Sequence, residues 1–402
     1  MRDARFARLW LASFCSETGE WMLQIALPIL VYQATGSATS TAAMMIVGLV
    51  PAVLLSPVAG VLADRVHRRR LLLLVCVGQA LVATPLLAMG DTIWLGYVVM
   101  AGQAGLAALF EPARNALVVE LVGPDRITAA NGLLGSGTNV SRLVGAWLGG
   151  LLFALGGIGW VFAGYAAVLL AAALALLARF GTRPARAGTR PALREWLDGL
   201  ALIRHDRRLW VTGAAMMAMA VSQGMFLVLF VPFVLDVLGV GADGVGLLRG
   251  VQAIGGLAAG VGVAVLARRV APASMYGWGA LTFGVLSALT WNGPHVTTAL
   301  GVYIGLFIVQ GVPGVVASTG LLSTLQTAVP AAATGRLLST AFAAIALGTA
   351  AGMLVAGAGV DTVGLPALFD VQAALYVLSG VFVLATRRAS ARADTPHAAV
   401  AQ

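Results

Sequence analysis

Apolar stretches recur along the chain at approximately 9–34, 41–63, 71–89, 93–113, 128–155, 158–178, 209–235, 244–267, 273–291, 296–319, 337–358 and 366–386. A helix rises about 1.5 Å per residue and the hydrocarbon core of a bilayer is roughly 30 Å, so one crossing needs about 20 apolar residues. The pattern therefore predicts an all-α membrane protein with twelve transmembrane helices. Several stretches exceed that length and are expected to tilt or to extend beyond the bilayer. One long polar stretch, Gly181 to Arg208, is rich in Arg, Pro and Gly and separates halves of nearly equal length. The expected organisation is a bundle over 1–180, a central loop over 181–208, a second bundle over 209–388 and a tail over 389–402. The later part of the loop, from Leu193 to Ile203, has helical periodicity, which suits a helix on the membrane surface as well as a solvated linker.

The halves echo each other. Arg8-Leu9-Trp10 opens the first span and Arg208-Leu209-Trp210 the seventh, 200 residues later; Gly60 matches Gly260 at the same offset, and Pro28 and Pro232 sit at similar depth. Leu121-Val-Gly-Pro124 and Thr327-Ala-Val-Pro330 each precede an arginine and a new span. Together these matches predict a duplicated, pseudo-symmetric bundle of six helices, an arrangement that in transporters puts the binding site near the midplane between repeats.

Composition agrees. Residues are 59% hydrophobic and 10% charged, and mean hydropathy is +0.92, whereas soluble domains are nearer half apolar and a quarter charged. The 50 glycines suit membrane helices, where small residues let backbones approach. A net charge of +9 raises the question of nucleic acid, but the basic residues are scattered among apolar spans, so no nucleic-acid partner is expected. All 25 basic residues are arginine. Without lysine the chain has no Walker A loop, and energy must come from a gradient or a partner. Cys15 and Cys76 lie in apolar runs with no metal-ligand or redox spacing and read as packed thiols. No metal or cofactor is expected. The first apolar stretch, interrupted by two glutamates, reads as a span rather than a removable signal peptide.

Arginine placement sets the orientation. With the N-terminus inside, the internal segments hold Arg2, Arg5, Arg8, Arg65, Arg68 to Arg70, Arg114, Arg126, eight arginines between 179 and 208, Arg268, Arg269, Arg336, Arg387, Arg388 and Arg392. The external connections hold none and carry acids such as Asp91, Asp236, Asp243 and Asp361. This is the positive-inside pattern and predicts two cytoplasmic termini. Arg142 and Arg249 alone remain within spans. Arg249, near the external end of the eighth span, is expected to snorkel to the surface.

The segment Gly60-Val-Leu-Ala-Asp-Arg-Val-His-Arg-Arg-Arg70 resembles the signature of the major facilitator superfamily between its second and third helices. Gly60, Leu62, Ala63, Asp64, Arg65, Arg68 and Arg69 match, and His67 stands where the family has glycine. The resemblance implies a cytoplasmic latch in which the carboxylate and guanidinium groups hold one side shut; a plain basic stop-transfer turn is the alternative reading. In the fifth span, Gly132, Ser141, Gly145, Gly149 and Gly150 resemble the family's antiporter motif, with Ser141 for a glycine and Ala146 for the proline. A small-residue packing seam is the alternative reading. Gly19-Glu-Trp21, Phe110 to Leu117, Ala130 to Leu133, and Leu325 to Pro330 followed by Gly335-Arg336 resemble the branch of macrolide-efflux and enterobactin exporters. That branch implies proton-coupled export.

Ionisable groups at membrane depth cost about 2.5–3.5 kcal/mol each and are candidates for function. Glu20 lies roughly 18 Å along a helix from Arg8, near the midplane. Ser13, Glu17, Glu20 and Gln24 share one helical face, expected to line a cavity. A glutamate removed from water can load and release a proton near neutrality, so Glu20, then Glu17, is the candidate proton-coupling site; a fixed ion pair is the alternative. Arg142, at matching depth, would pair with Glu20 or attract an anionic substrate group. Gln24, Asn139, Arg142, Gln223 and Gln326 are the candidate cavity residues. The glutamines Gln79, Gln103, Gln223, Gln252, Gln310 and Gln326 otherwise suit interhelical hydrogen bonds, and the Trp and Met residues either line a drug cavity or serve as belt and packing.

No catalytic constellation is present in the sequence. The expected function is secondary active transport: a monomer in the bacterial cytoplasmic membrane exporting an amphipathic drug or secondary metabolite in exchange for protons. Transport of a siderophore or lysophospholipid without proton antiport, or a non-transporting sensor or scaffold, are the alternatives.

Overall fold

Peptide groups in hydrocarbon must be satisfied within the protein, which a helix does locally. The computed structural model describes residues 4–88, 92–122, 126–177, 207–266, 270–328 and 331–394, and among them there are helices and no strand. The stretch 193–203, read as either a surface helix or a solvated linker, lies outside the described residues.

The first helices are α1 Ala4–Thr35, α2 Ala38–Arg65, α3 Arg68–Val82 and α4 Trp94–Val122. The apolar stretch 71–89 is not one helix: α3 ends at Val82 and a 3-10 turn follows over Thr84–Ala88, where Pro85 lacks the N–H that would continue the helix. Ile127–Leu176 breaks at Gly156 and Gly157 into α5 (127–155) and α6 (158–176). Gly157 has φ 67°, a left-handed backbone that glycine adopts without penalty. The chain continues as α7 Arg207–Pro232, a π-helical turn Phe233–Val237, α8 Ala242–Leu266, α9 Pro272–Asn292, α10 Leu300–Thr327, α11 Ala331–Val363 and α12 Leu365–Asp394. Among the described residues, six stretches are long and apolar enough to cross a membrane: Arg68–Ala88, Ala130–Leu176, Trp210–Val237, Leu300–Thr327, Thr340–Val363 and Leu365–Thr386. The second of these, 47 residues with a break at Gly156, has the length of two crossings.

Packing divides the chain into two units, Met1–Thr189 with Phe230–Ile254, and Arg190–Leu229 with Gly255–Gln402. In the first, α1 lies along the α5–α6 pair, α2 along α4, and α3 against α4. The α1–α5 seam is backbone against backbone. A Cβ at Gly149 would lie 2.6 Å from the Met22 carbonyl oxygen, one at Gly145 would run into the Thr18 carbonyl, and buried Ser141 donates to the Phe14 carbonyl at 3.0 Å. On the other side, Gly19 faces Tyr165 of α6. The same unit takes in the start of α8: Gly246 abuts Gly150 and the Ala146 carbonyl, and a Cβ at Gly250 would lie 2.8 Å from the Leu143 carbonyl oxygen. The Tyr32 hydroxyl donates to Asp236, tying the end of α1 to the π turn.

In the second unit, α9 lies along α10 and α12. Gly224 of α7 meets the Thr349 carbonyl of α11, and the Ser222 hydroxyl donates to the Gln372 carbonyl of α12 at 2.6 Å. The scheme of α7 against α11 and α12 thus repeats that of α1 against α5 and α6. The core joins Met216, Tyr276, Ala317, Leu321, Leu337 and Val383 from five helices. Cys15 and Cys76 are buried free thiols.

The helix-five glycines make an unequal set. Gly145, Gly149 and Gly150 are at close contacts, whereas Gly132 is exposed and a Cβ there meets nothing within 4 Å. Gly145→Val should therefore lower the unfolding free energy by about 1–3 kcal/mol, the usual cost of overpacking, and Gly132→Val should leave it nearly unchanged. Unfolding of the detergent-solubilised protein, titrated with a denaturing detergent, measures both.

Candidate functional site

Helix α1 presents its polar residues on one stripe, as the spacing predicts, and each has found a different neighbour. Ser13 is 2% exposed and its hydroxyl has no hydrogen-bond partner among the described residues. Glu17 forms an ion pair with Arg114 of α4, and the same guanidinium lies 3.6 Å from Glu111. Glu20 is half-buried and accepts from the Gln24 amide at 3.1 Å, one helical turn along. No ion pair reaches Glu20 among the described residues.

Arg114 corrects the expected layout. The apolar stretch ends at 113, so Arg114 counted as a loop residue, but α4 continues to Val122 and carries Arg114 inside the bundle. Its charge is accommodated because Glu17 supplies the counter-charge and both side chains are largely covered, at 11% and 15% exposure. A glutamate and an arginine 97 positions apart offer no local signal of pairing.

Arg142 does not bond to Glu20. Its guanidinium donates to Asn139 at 3.4 Å, one turn back on α5, and lies over the Trp21 ring at 5.8 Å from the centroid. The Asn139 amide donates to the Gly135 carbonyl at 3.1 Å. Arg249 does not snorkel. It is 9% exposed, donates to Gln252 at 3.0 Å, and lies over the same Trp21 ring at 5.7 Å. The reason is tertiary: Gly246 and Gly250 bring the start of α8 onto α5, which covers the helix end that would otherwise face lipid headgroups. Trp10 extends the aromatic line, stacking on Phe14 at 5.5 Å and donating to the Leu133 carbonyl at 3.0 Å.

The motif between α2 and α3 is described in part. The side chains of Asp64 and Arg65, and the surroundings of Gly60, lie outside the described residues. Arg68 forms an ion pair with Glu120 at the end of α4 and also donates to the Ala116 carbonyl at 3.3 Å. Arg69 donates to the Leu176 and Leu177 carbonyls, each at 2.6 Å. These carbonyls are at the C-terminal end of α6, and a cation there complements the negative end of the helix dipole. Two adjacent arginines thus clamp α3 to the ends of α4 and α6. Glu120 was not among the residues singled out from the sequence.

The remaining polar residues act mostly as interhelical ties. Gln103 donates to the Gln79 carbonyl at 2.7 Å and accepts from Tyr165 at 2.6 Å; Gln310 donates to Ser287 and Gln223 accepts from Tyr376, both at 2.8 Å. Gln326 is exposed near the end of α10 and joins no such cluster. Trp94, Trp160, Trp210 and Trp278 are exposed near the starts of α4, α6, α7 and α9, the belt position for indole. The arrangement groups a fixed ion pair, a carboxyl held by an amide, and two guanidinium groups on one indole, all inside the first unit.

Residues 9–269 match the family described as the Major Facilitator Superfamily. The lysophospholipid transporter LplT of Cronobacter sakazakii is 29% identical over 142 residues, 35% of each chain. The multidrug efflux pump Tap of Mycolicibacterium fortuitum is 30% identical over 152 residues, 36% of this chain and 37% of that one. Macrolide efflux protein A of Streptococcus pyogenes is 24% identical over 155 residues, 38% of each chain. The matches span little more than a third of the length of these relatives. Among solved structures, the nucleoside transporter NupG superposes with a TM-score of 0.78 at 14% identity, covering 95% of this chain and 99% of that one, a likeness of fold.

Removing one partner of a buried ion pair leaves the other charge uncompensated, at a cost of about 3–5 kcal/mol. Glu17→Gln and Arg114→Gln should each destabilise the protein by up to that amount. The double variant should be less destabilised than the sum of the two, by about 0.5–3 kcal/mol. A double-mutant cycle in the same detergent unfolding assay measures the coupling.

Proposed function

Because the chain belongs to the major facilitator superfamily, we propose that it is a secondary transporter that exports an amphipathic drug or secondary metabolite in exchange for protons. On this reading it is a monomer in the bacterial cytoplasmic membrane. Its twelve spans form two six-helix bundles, 1–180 and 209–388, with both termini in the cytoplasm, and it works by alternating access. Its partners are a small amphipathic substrate, protons and membrane lipid, and it performs no covalent chemistry.

Glu20 carries the proposal. It sits inside α1, half-buried, with an amide as its partner and no cation in ion-pair contact among the described residues. Such a carboxyl can be charged or neutral according to what else occupies the site. Glu17, held in an ion pair by Arg114, is the second candidate. Glu20 therefore takes the proton that enters from outside and gives it up inside, and the charge change alters its attraction for the cargo. Gln24 holds the carboxyl in place. Arg68 and Arg69, which tie α3 to α4 and α6, belong to the cytoplasmic latch with Gly60, Asp64 and Arg65. The α1–α5 seam at Ser141, Gly145 and Gly149, with Gly150 against α8, is the antiporter-like element.

Two of the similar proteins are efflux pumps, which favours export. A second reading is movement of a lysophospholipid without proton exchange, favoured by the likeness to LplT.

Substrate-triggered proton movement in proteoliposomes decides between them, with erythromycin, ethidium and lysophosphatidylglycerol as probes and Glu20→Gln beside wild type. The expected result is proton flux in the wild type that falls at least about tenfold in the variant, the loss of one proton-transfer group. Equal flux in both removes Glu20 from the coupling. Movement of lysophosphatidylglycerol without proton flux establishes the second reading, and movement of none of the three overturns export of this class.

A further inference from the structure

Two guanidinium groups meet at one indole within the first unit. The Arg142 and Arg249 carbons lie 5.8 and 5.7 Å from the Trp21 centroid, and those two distances together bound their separation. The three residues come from α5, α8 and α1, so the cluster exists only because the glycine contacts bring those helices together. Arg142 is the less satisfied of the two. It has one long hydrogen bond, to Asn139 at 3.4 Å, and its buried Nε has no partner. No carboxylate lies within ion-pair distance of it among the described residues, since Glu17 is taken by Arg114 and Glu20 holds Gln24. Arg249 is nine-tenths buried and already donates to Gln252.

Like charges drawn together in a low-dielectric region repel, and an aromatic face offsets only part of the cost of removing each from water. A guanidinium over an indole keeps its N–H donors in its own plane, and those donors match the paired oxygens of a carboxylate or phosphate. Trp21 adds an apolar face beside them, the counterpart of an acyl or aromatic body.

We propose that Arg142, Arg249 and Trp21 form the recognition site for an anionic group, carboxylate or phosphate, on an amphipathic cargo. This rests on the transport reading and narrows its cargo from amphiphiles in general to those carrying a negative group. Arg142 supplies the principal hydrogen bonds, through the Nε that now lacks a partner. Arg249 contributes charge and holds the indole from its other contact, and Trp21 discriminates for an apolar body adjoining the anion.

The test is equilibrium binding to the purified full-length protein in nanodiscs of phosphatidylcholine, which are free of net anionic lipid. The probes are lauroyl lysophosphatidylglycerol, uncharged monolauroylglycerol of the same chain length, and inorganic phosphate. Wild type should bind the anionic amphiphile at least about tenfold more tightly than the neutral one, the value of one charge-assisted contact, and phosphate alone only weakly. Arg142→Gln should reduce that preference to within about threefold, Arg142→Lys should keep part of it, and Trp21→Leu should weaken both amphiphiles together. Retained preference in Arg142→Lys shows that the site still folds. Equal binding of charged and neutral amphiphiles by wild type, or undiminished preference in Arg142→Gln, overturns the proposal. So does failure of both amphiphiles to bind. Nanodiscs with phosphatidylglycerol added separate the two sources of phosphate: competition by the bilayer lipid itself would overturn the cargo assignment in favour of a lipid-headgroup site. Proton flux with ethidium that survives in Arg142→Gln leaves the transport reading standing whichever way the binding falls.

Discussion

Between Thr18 and Met22, α1 runs against α5 with carbonyl oxygens facing glycines, and much of the first unit depends on that contact. Gly145 and Gly149 leave no room for a Cβ, so the two backbones approach as closely as they can. In lipid there is little hydrophobic drive to bring helices together, and contact of this kind, with hydrogen bonds such as Ser141 to the Phe14 carbonyl, supplies the attraction instead. The seam fixes the rotation of α1, which turns Glu17 towards Arg114, and brings Trp21 under Arg142. Immediately after Gly149 on α5, Gly150 admits Gly246, and α8 delivers Arg249 to the same ring.

The charges then fall into two groups. Arg68, Arg69 and Arg114 are spent on structure: each binds a carboxylate or the end of a helix, and each holds α3 or α4 to a neighbour. Glu20 and Arg142 are held by amides, through Gln24 and Asn139. Amides orient a charged group without cancelling it. A membrane protein that keeps charges in this state at depth accepts their desolvation, which is the physical case for giving them a function.

The second unit repeats the helix neighbours of the first with different chemistry. Where α1 carries two glutamates, α7 carries Ser222 and Gln223, whose partners are the Gln372 carbonyl and the Tyr376 hydroxyl. Gly352 of α11 against the Val221 carbonyl of α7 takes the part of Gly145 of α5 against the Thr18 carbonyl of α1. The repeat therefore conserves a packing scheme, and the ionisable groups of the described spans concentrate on one copy of it. This asymmetry accords with a single coupling site serving a duplicated scaffold.

Hydrophobic periodicity alone announced an all-helical chain, because a lipid solvent demands long apolar stretches and leaves a signal that survives without knowledge of neighbours. The glycine spacing on α5 likewise announced a close helix contact, and the stripe of Ser13, Glu17, Glu20 and Gln24 was readable from the 3.6-residue period. What was not legible were the partners. Glu17 and Arg114 are 97 positions apart, Arg68 and Glu120 are 52 apart, and no local pattern pairs them. Arg249 read as a snorkelling surface residue because its distance from the helix end was all that the sequence offered. Only the approach of α8 to α5 buried it over Trp21. Helices follow from the solvent and the local backbone, which a sequence carries in full; which charge meets which depends on the rotation and approach of helices distant in sequence, and that is decided only when they pack.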